Sequence, residues 1–237
     1  MKNREFQQRL RLHSATFAIK RGIDFLLACA LLLALVPIFL VIAIAIKVSS
    51  RGTVFYLQER VGRAGKPFSI YKFRTMVEDA EHMGSGVQIE DDDPRITTVG
   101  ECLRKWSIDE LPQLINIIKG EMSFVGPRPT LQYQVDEYSP QQRKRLDMKP
   151  GITGWAQVNG RNNIPWDERI ELDVWYIEHW SLWLDFKIVL KTVKVLFTKN
   201  DIYSDKGISY DFRDSKNNTD DKHAPQSTRS FRPENRS

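Results

Sequence analysis

At 237 residues the chain is long enough for one domain with a real core, plus an anchor and a tail. Its net charge of +5 and pI near 9.1 suit an anionic partner such as lipid, nucleotide or nucleic acid, without choosing among them. The two cysteines, Cys29 inside an apolar run and Cys102 outside it, exclude a disulfide framework and point to a reducing compartment; His13, His82, His179 and His223 lack the spacing of a structural zinc site.

In chain order, a basic N-terminal segment (1–19) leads into a membrane anchor (20–50). From Phe25 to Ile46 there are 22 residues without a charge, against the roughly 20 that cross a bilayer as a helix. Lys2, Arg4, Arg9, Arg11, Lys20 and Arg21 precede the run, and Lys47, Arg51, Arg60, Arg63 and Lys66 follow it. Such flanks assign both ends to the cytoplasm. Pro37, near the middle, removes a helical hydrogen bond, so the pattern predicts a re-entrant helix–break–helix rather than an ordinary kinked span. Thr53 to Leu57 and Phe68 to Phe73 read as short strands, separated by Gly62, Gly65 and Pro67. Met76 to Arg95 reads as a polar surface loop; within it Asp91 and Asp93 have the Asp-x-Asp spacing of metal-dependent glycosyltransferases, or form a solvated acidic turn.

The run Ser107-Ile108-Asp109-Glu110-Leu111-Pro112-Gln113-Leu114 sets two carboxylates before a proline. Pro112 predicts that a helix starts there, with Leu111, Leu114, Ile115 and Ile118 on one face and Gly120 as its stop. Asp109 and Glu110 then sit at its positive end with Arg104, Lys105, Lys119 and Arg128 nearby, an arrangement that suits Mg²⁺ and phosphoryl transfer. The competing reading is a capping box between Ser107 and Glu110. Downstream, Arg128 stands between Pro127 and Pro129, either gripping a diphosphate or capping a plain rigid turn. Gln134 to Lys149 predicts a charged linker helix. Pro150 to Asn162, rich in glycine and carrying Gln157, Asn159 and Arg161, fits a nucleotide base or sugar. No P-loop or G-x-G-x-x-G fingerprint is present.

Trp166, Trp175, Tyr176, Trp180 and Trp183 crowd together, followed by a helical pattern placing Lys187, Lys191 and Lys194 opposite Phe186, Val189, Leu190, Val193 and Phe197. That pattern fits a helix in the membrane interface or one covering a soluble core. From Ser204 onward the chain is poor in apolar residues and reads as a disordered tail (204–237).

These landmarks resemble the bacterial sugar transferase family of monotopic polyprenyl-phosphate phosphoglycosyl transferases, over roughly residues 20–200. Lys20-Arg21-Gly22-Ile23-Asp24 is similar to its Lys-Arg-x-x-Asp, and Lys72-Phe73-Arg74-Thr75-Met76 matches Lys-Phe-Arg-Ser/Thr-Met. Asp93 to Thr97, Ser107 to Leu114, Met122 to Pro129 and Pro150 to Asn162 match further blocks in the same order. The resemblance implies an α+β, mostly helical fold, with the re-entrant anchor, a small cytoplasmic catalytic domain (51–203) and interfacial amphipathic helices. It implies Asp109 as nucleophile and Glu110 as its partner, with Mg²⁺ held by both. Lys72, Arg74, Arg104, Pro127, Arg128, Gln157, Asn159 and Arg161 are its substrate-binding candidates. The implied reaction moves a sugar-1-phosphate from a UDP-sugar to polyprenyl phosphate through a phosphosugar-aspartyl intermediate and releases UMP. The implied setting is the cytoplasmic face of the bacterial inner membrane, at the first membrane step of exopolysaccharide, capsule or glycan synthesis. Membrane lipid, a homodimer partner and downstream glycosyltransferases are the implied associates, and nucleic acid is not. Val36-Pro37 departs from the family's Ser-Pro at the break. The rival readings are a glycosyltransferase that uses Asp91 and Asp93 and releases UDP, and a non-catalytic membrane scaffold. The sugar is open: galactose, glucose and N-acetylhexosamines all fit.

Overall fold

The computed structural model describes residues 2–83, 93–160 and 164–197. Asp91, Arg161 and the segment 204–237 lie outside them. The fold is α+β and mostly helical. One long helix, α1 (Lys2–Ser49), is followed by an antiparallel hairpin of β1 (Phe55–Val61) and β2 (Pro67–Phe73), then by α2 (Thr98–Lys105) and α3 (Leu114–Lys119). The rest comprises β3 (Ser123–Val125), α4 (Gln132–Asp136), α5 (Pro140–Arg143), β4 (Gly151–Thr153), α6 (Trp155–Asn159), α7 (Trp166–Glu178) and α8 (Leu182–Phe197), with β4 parallel to β3.

Residues 15–49 of α1 are long and apolar enough to cross a membrane. The break expected at Pro37 is not there: α1 runs through it. The proline removes one hydrogen bond, and the turns on either side keep theirs. One stripe of the helix is buried, through Lys20, Asp24, Ala28, Ile42 and Ile46, and the opposite side leaves Leu26, Leu33, Leu40, Val41 and Val48 exposed. The stripe recurs at helical spacing and meets the domain along its length. Arg21 donates to the carbonyls of Ile117 and Ile118, satisfying the open C-terminal end of α3. Ala28, Leu32 and Leu35 pack with Phe68, Ile70, Leu114, Ile117 and Met122. Phe39, Ile42 and Ile46 pack with Phe73 and Leu103. The apolar helix is therefore one wall of the core.

The hairpin extends beyond the predicted strands, because Gln58, Glu59 and Arg60 pair with Ile70, Ser69 and Phe68. Strand alternation puts Tyr56, Gln58 and Arg60 on the same face as Phe68, Ile70 and Lys72. Gln134 to Lys149 is not one helix. Ser139 accepts from the backbone of Gln142 and Pro140 occupies the first turn, so a new helix begins there. Nor does it act as a linker, since Val135 and Tyr138 pack with Val61, Ile170 and Val174.

Gly100 is fixed by contact. A Cβ there would lie 1.9 Å from the carbonyl oxygen of Thr75 and 2.6 Å from its carbon. Gly100→Ala should cost about 3 kcal/mol by forcing backbone against backbone. A thermal or urea melt unchanged to within 0.5 kcal/mol, to be read as about zero, would show that α2 has room to move.

Candidate active site

Asp109 and Glu110 lie in a 3-10 turn, Ile108–Gln113, that leads directly into α3. The expected helix start at Pro112 is thus corrected: the turn begins at Ile108, Pro112 lies inside it, and the α-helix proper begins at Leu114. The tighter turn lets the chain stay helical where the proline supplies no donor. Gly120, at φ +84°, ends the helix as expected. Ile117, fully buried, joins Leu114 in the core and was missing from the predicted face. Ser107 enters the turn at φ 55°, a left-handed conformation costly for serine. Its side chain makes no cap bond, so the capping box is not formed.

The Glu110 carboxylate is claimed elsewhere. Its Oε1 accepts from Lys72 Nζ at 2.8 Å and from Arg128 Nη2 at 3.1 Å. Burial opposes its charge, but Lys72 and then Arg128 more than offset this and hold the carboxyl far below the usual range. Asp109 shares the burial but not the bonds. It is 9 % exposed, and among the described residues its carboxylate has no hydrogen-bond or ion-pair partner. Burial pushes its pKa up, and the charges of Lys72, Arg104 and Arg128 only moderate that rise. The dyad pairs one tethered anion with one untethered, desolvated one.

The expected cations divide. Lys72 and Arg128 converge on Glu110, and Arg104, whose Nε donates to Thr75 Oγ1 at 2.7 Å, acts on Asp109 through its charge. Arg74 is turned away: it is buried, and its Nη2 donates to the carbonyl and hydroxyl of Ser50 at the end of α1. Gln157 donates to Ile152 O, and Asn159 donates to Trp155 O while accepting from Lys191. Both fasten α6 in place. Asp93 is buried against Arg95, 2.6 Å from Nη2, and Arg95 in turn donates to Ala80 O and Met83 O. That carboxylate holds a loop together.

Sequence reasoning did not single out Arg60 as a site residue. From β1 its guanidinium is bound by Gln58 and reaches Pro129 O at 3.5 Å. Burial, then the neighbouring charge of Arg128, lower its pKa to about 10. Its position on the face of Lys72 was the available signal.

Asp109 and Glu110 are adjacent carboxylates, and among the described residues no group of three or more His, Cys, Asp and Glu could hold an ion. Mg²⁺ does not require one: it takes one or two carboxylates and completes its shell with water and substrate phosphates. Asp109, with no bond of its own, together with Glu110 fits that requirement.

The model of the bacterial sugar transferase family matches residues 15–199. The chain is 45 % identical over 192 residues to the uncharacterized sugar transferase EpsL of Bacillus subtilis, covering 81 % of this chain and 89 % of that protein. It is 42 % identical over 197 residues to the undecaprenyl-phosphate glucose phosphotransferase of Komagataeibacter xylinus, covering 76 % and 36 %. It is 38 % identical over 212 residues to the undecaprenyl-phosphate galactose phosphotransferase of Salmonella typhimurium, covering 83 % and 44 %. The chain thus spans most of the first relative and less than half of the other two.

Proposed function

The chain belongs to the bacterial sugar transferase family, and from that premise we propose that it transfers a sugar-1-phosphate from a UDP-sugar to polyprenyl phosphate, releasing UMP. The observation that carries the reading is the divided dyad: Asp109 desolvated and, among the described residues, without a partner, and Glu110 tethered by Lys72 and Arg128. A carboxylate that accepts no hydrogen bond keeps its lone pairs unshared and can turn them toward a phosphorus atom, whereas Glu110 is held in place by its two cations. Asp109 attacks the sugar-linked phosphorus, UMP leaves, and the phosphosugar stays on Asp109 as an acyl phosphate. The phosphate of the lipid then attacks the same phosphorus and frees the aspartate. Lys72, Arg104 and Arg128 draw charge from the phosphoryl oxygens as it builds. Glu110 holds Lys72 and Arg128 at a common point, so the two cations face one substrate group. Asp109 and Glu110 would hold Mg²⁺, which would supply positive charge to neutralise the remaining phosphate charge.

The anchor supports a membrane-surface setting in which both ends of α1 stay on the cytoplasmic side. From Lys20 to Ile46 the helix runs about 39 Å, and the same domain binds it at both ends and between. A straight crossing would pull that domain into the hydrocarbon. Exposed Trp183, Phe186, Val189, Leu190 and Val193 on α8 offer a second apolar surface to the same interface.

Solubilised protein, Mg²⁺, undecaprenyl phosphate and a panel of UDP-sugars, assayed for nucleotide, test the reading. UMP release dependent on one sugar supports it and identifies the donor. UDP as the nucleotide product would replace it with direct glycosyl transfer.

A further inference from the structure

The loop that carries Arg128 is held by its carbonyls. Pro127 O accepts from Gly151 N at 2.9 Å, Arg128 O from Arg145 Nη2 at 3.1 Å, Pro129 O from Arg60 Nη1 at 3.5 Å, and Thr130 O from Val61 N at 2.9 Å. Four consecutive acceptors are taken by four donors, and the two prolines have no N–H to satisfy. Three of those donors belong to the hairpin or to the start of β4. The fourth, Arg145, lies in the turn after α5 and is a charged side chain with 4 % of its surface exposed.

Arg145 is itself fixed on three sides. Its Nε and Nη2 each lie 2.7 Å from Asp173 Oδ2, Nη1 donates to the Tyr138 hydroxyl at 2.6 Å, and its guanidinium lies 5.4 Å from the centre of the Trp166 ring. Asp173, on α7, is 1 % exposed, and its other oxygen, Oδ1, is buried with no partner. Burial pushes the Asp173 carboxyl up, against the pull of Arg145. A buried pair that leaves one carboxylate oxygen unsatisfied is a poor source of stability, since desolvation consumes most of the attraction. Its geometry has a use instead: it sets a planar donor against the one carbonyl that belongs to Arg128.

We propose that Arg145, oriented by Asp173 and Tyr138, is a positioning residue for Arg128. It fixes the height and direction from which the Arg128 guanidinium reaches Glu110 and the transferred phosphoryl group. The proposal rests on the reaction given above. Electrostatic stabilisation depends on the donors being in place before charge develops, and a misplacement of about 1 Å costs about 10²-fold.

The test is a double-mutant cycle on the full-length protein. Arg145→Lys keeps the charge opposite Asp173 and removes the fork that reaches Arg128 O. It is expected to lower kcat for UMP release by about 10- to 100-fold with KM for the UDP-sugar changed less than about threefold. Arg128→Ala lowers turnover by about 10²-fold. The double variant should fall no more than about threefold below Arg128→Ala, because the residue that Arg145 positions is already gone. Tyr138→Phe, which removes a single hydroxyl and keeps the volume, should show the same non-additivity at smaller amplitude, and serves if Arg145→Lys melts early. Multiplied losses in the double variants would overturn the proposal, as would an Arg145→Lys enzyme within twofold of wild type. Should wild type release no UMP, the reaction reading fails by itself. The same cycle on UDP affinity then decides the positioning: coupled losses support it and additive ones reject it.

Discussion

Asp109→Asn is expected to reduce UMP release on the order of 10³-fold or more, since the amide keeps the shape and loses the nucleophile. It should at the same time make the protein more stable at neutral pH. Burial raises the Asp109 pKa above its unfolded value, so the folded state holds the proton longer, and stability contributed by this group falls as pH rises through that window. Removing the charge removes the cost. Glu110→Gln should do the reverse. Its carboxyl is held below the unfolded value, so the stabilisation is present above the unfolded pKa, near 4.5, and is lost as pH falls toward the folded one. Melting curves of the two variants at pH 7 should therefore shift in opposite directions. A common downward shift would mean that Asp109 is stabilised by something other than the groups facing it here.

Asp185→Ala is expected to cost about 3–5 kcal/mol. The Asp185 carboxylate accepts from Lys20 Nζ at 2.6 Å, from the Tyr176 hydroxyl at 2.6 Å and from Trp180 Nε1 at 3.1 Å, joining α1, α7 and α8. Burial and the adjacent Asp185 charge push the Tyr176 phenol far above its ordinary pKa, so it remains a donor. Alanine leaves buried Lys20 without its anion. Replacing both members, Lys20→Met with Asp185→Leu, should recover most of the loss, as apolar pairs of similar volume often do. Equal melting temperatures for the single and double variants would show that the loss comes from the tyrosine and tryptophan contacts instead.

What could be read in advance was local. Asp109 and Glu110 are neighbours in the chain and sit beside a proline, so their place together on one tight turn followed from the run itself. Gly120 and the prolines around Arg128 punctuate the backbone wherever they occur. The restart at Ser139-Pro140 was equally legible as a capping pattern, and a uniform charge density from Gln134 to Lys149 hid it. Arg145, Tyr138 and Asp173 could not be found this way. Their 28- and 7-residue separations from Arg145 matter only once α7 and the turn after α5 are stacked. Arg74 shows the opposite error: it shares a motif with Lys72, but β2 ends at Phe73, and Arg74, one residue beyond, is claimed by Ser50 at the end of α1.

The placement of Ala28, Ile42 and Ile46 inside the core gives α1 two solvents. One side is exposed and apolar enough to meet hydrocarbon, and Phe68, Ile70, Phe73 and Leu103 press on the other. A cut after residue 50 would not release a water-soluble enzyme, because it would open a trough of apolar side chains as long as the helix it removed. The same helix thus serves as the outer apolar surface and as an inner wall, and whatever displaces it from the one disturbs the other.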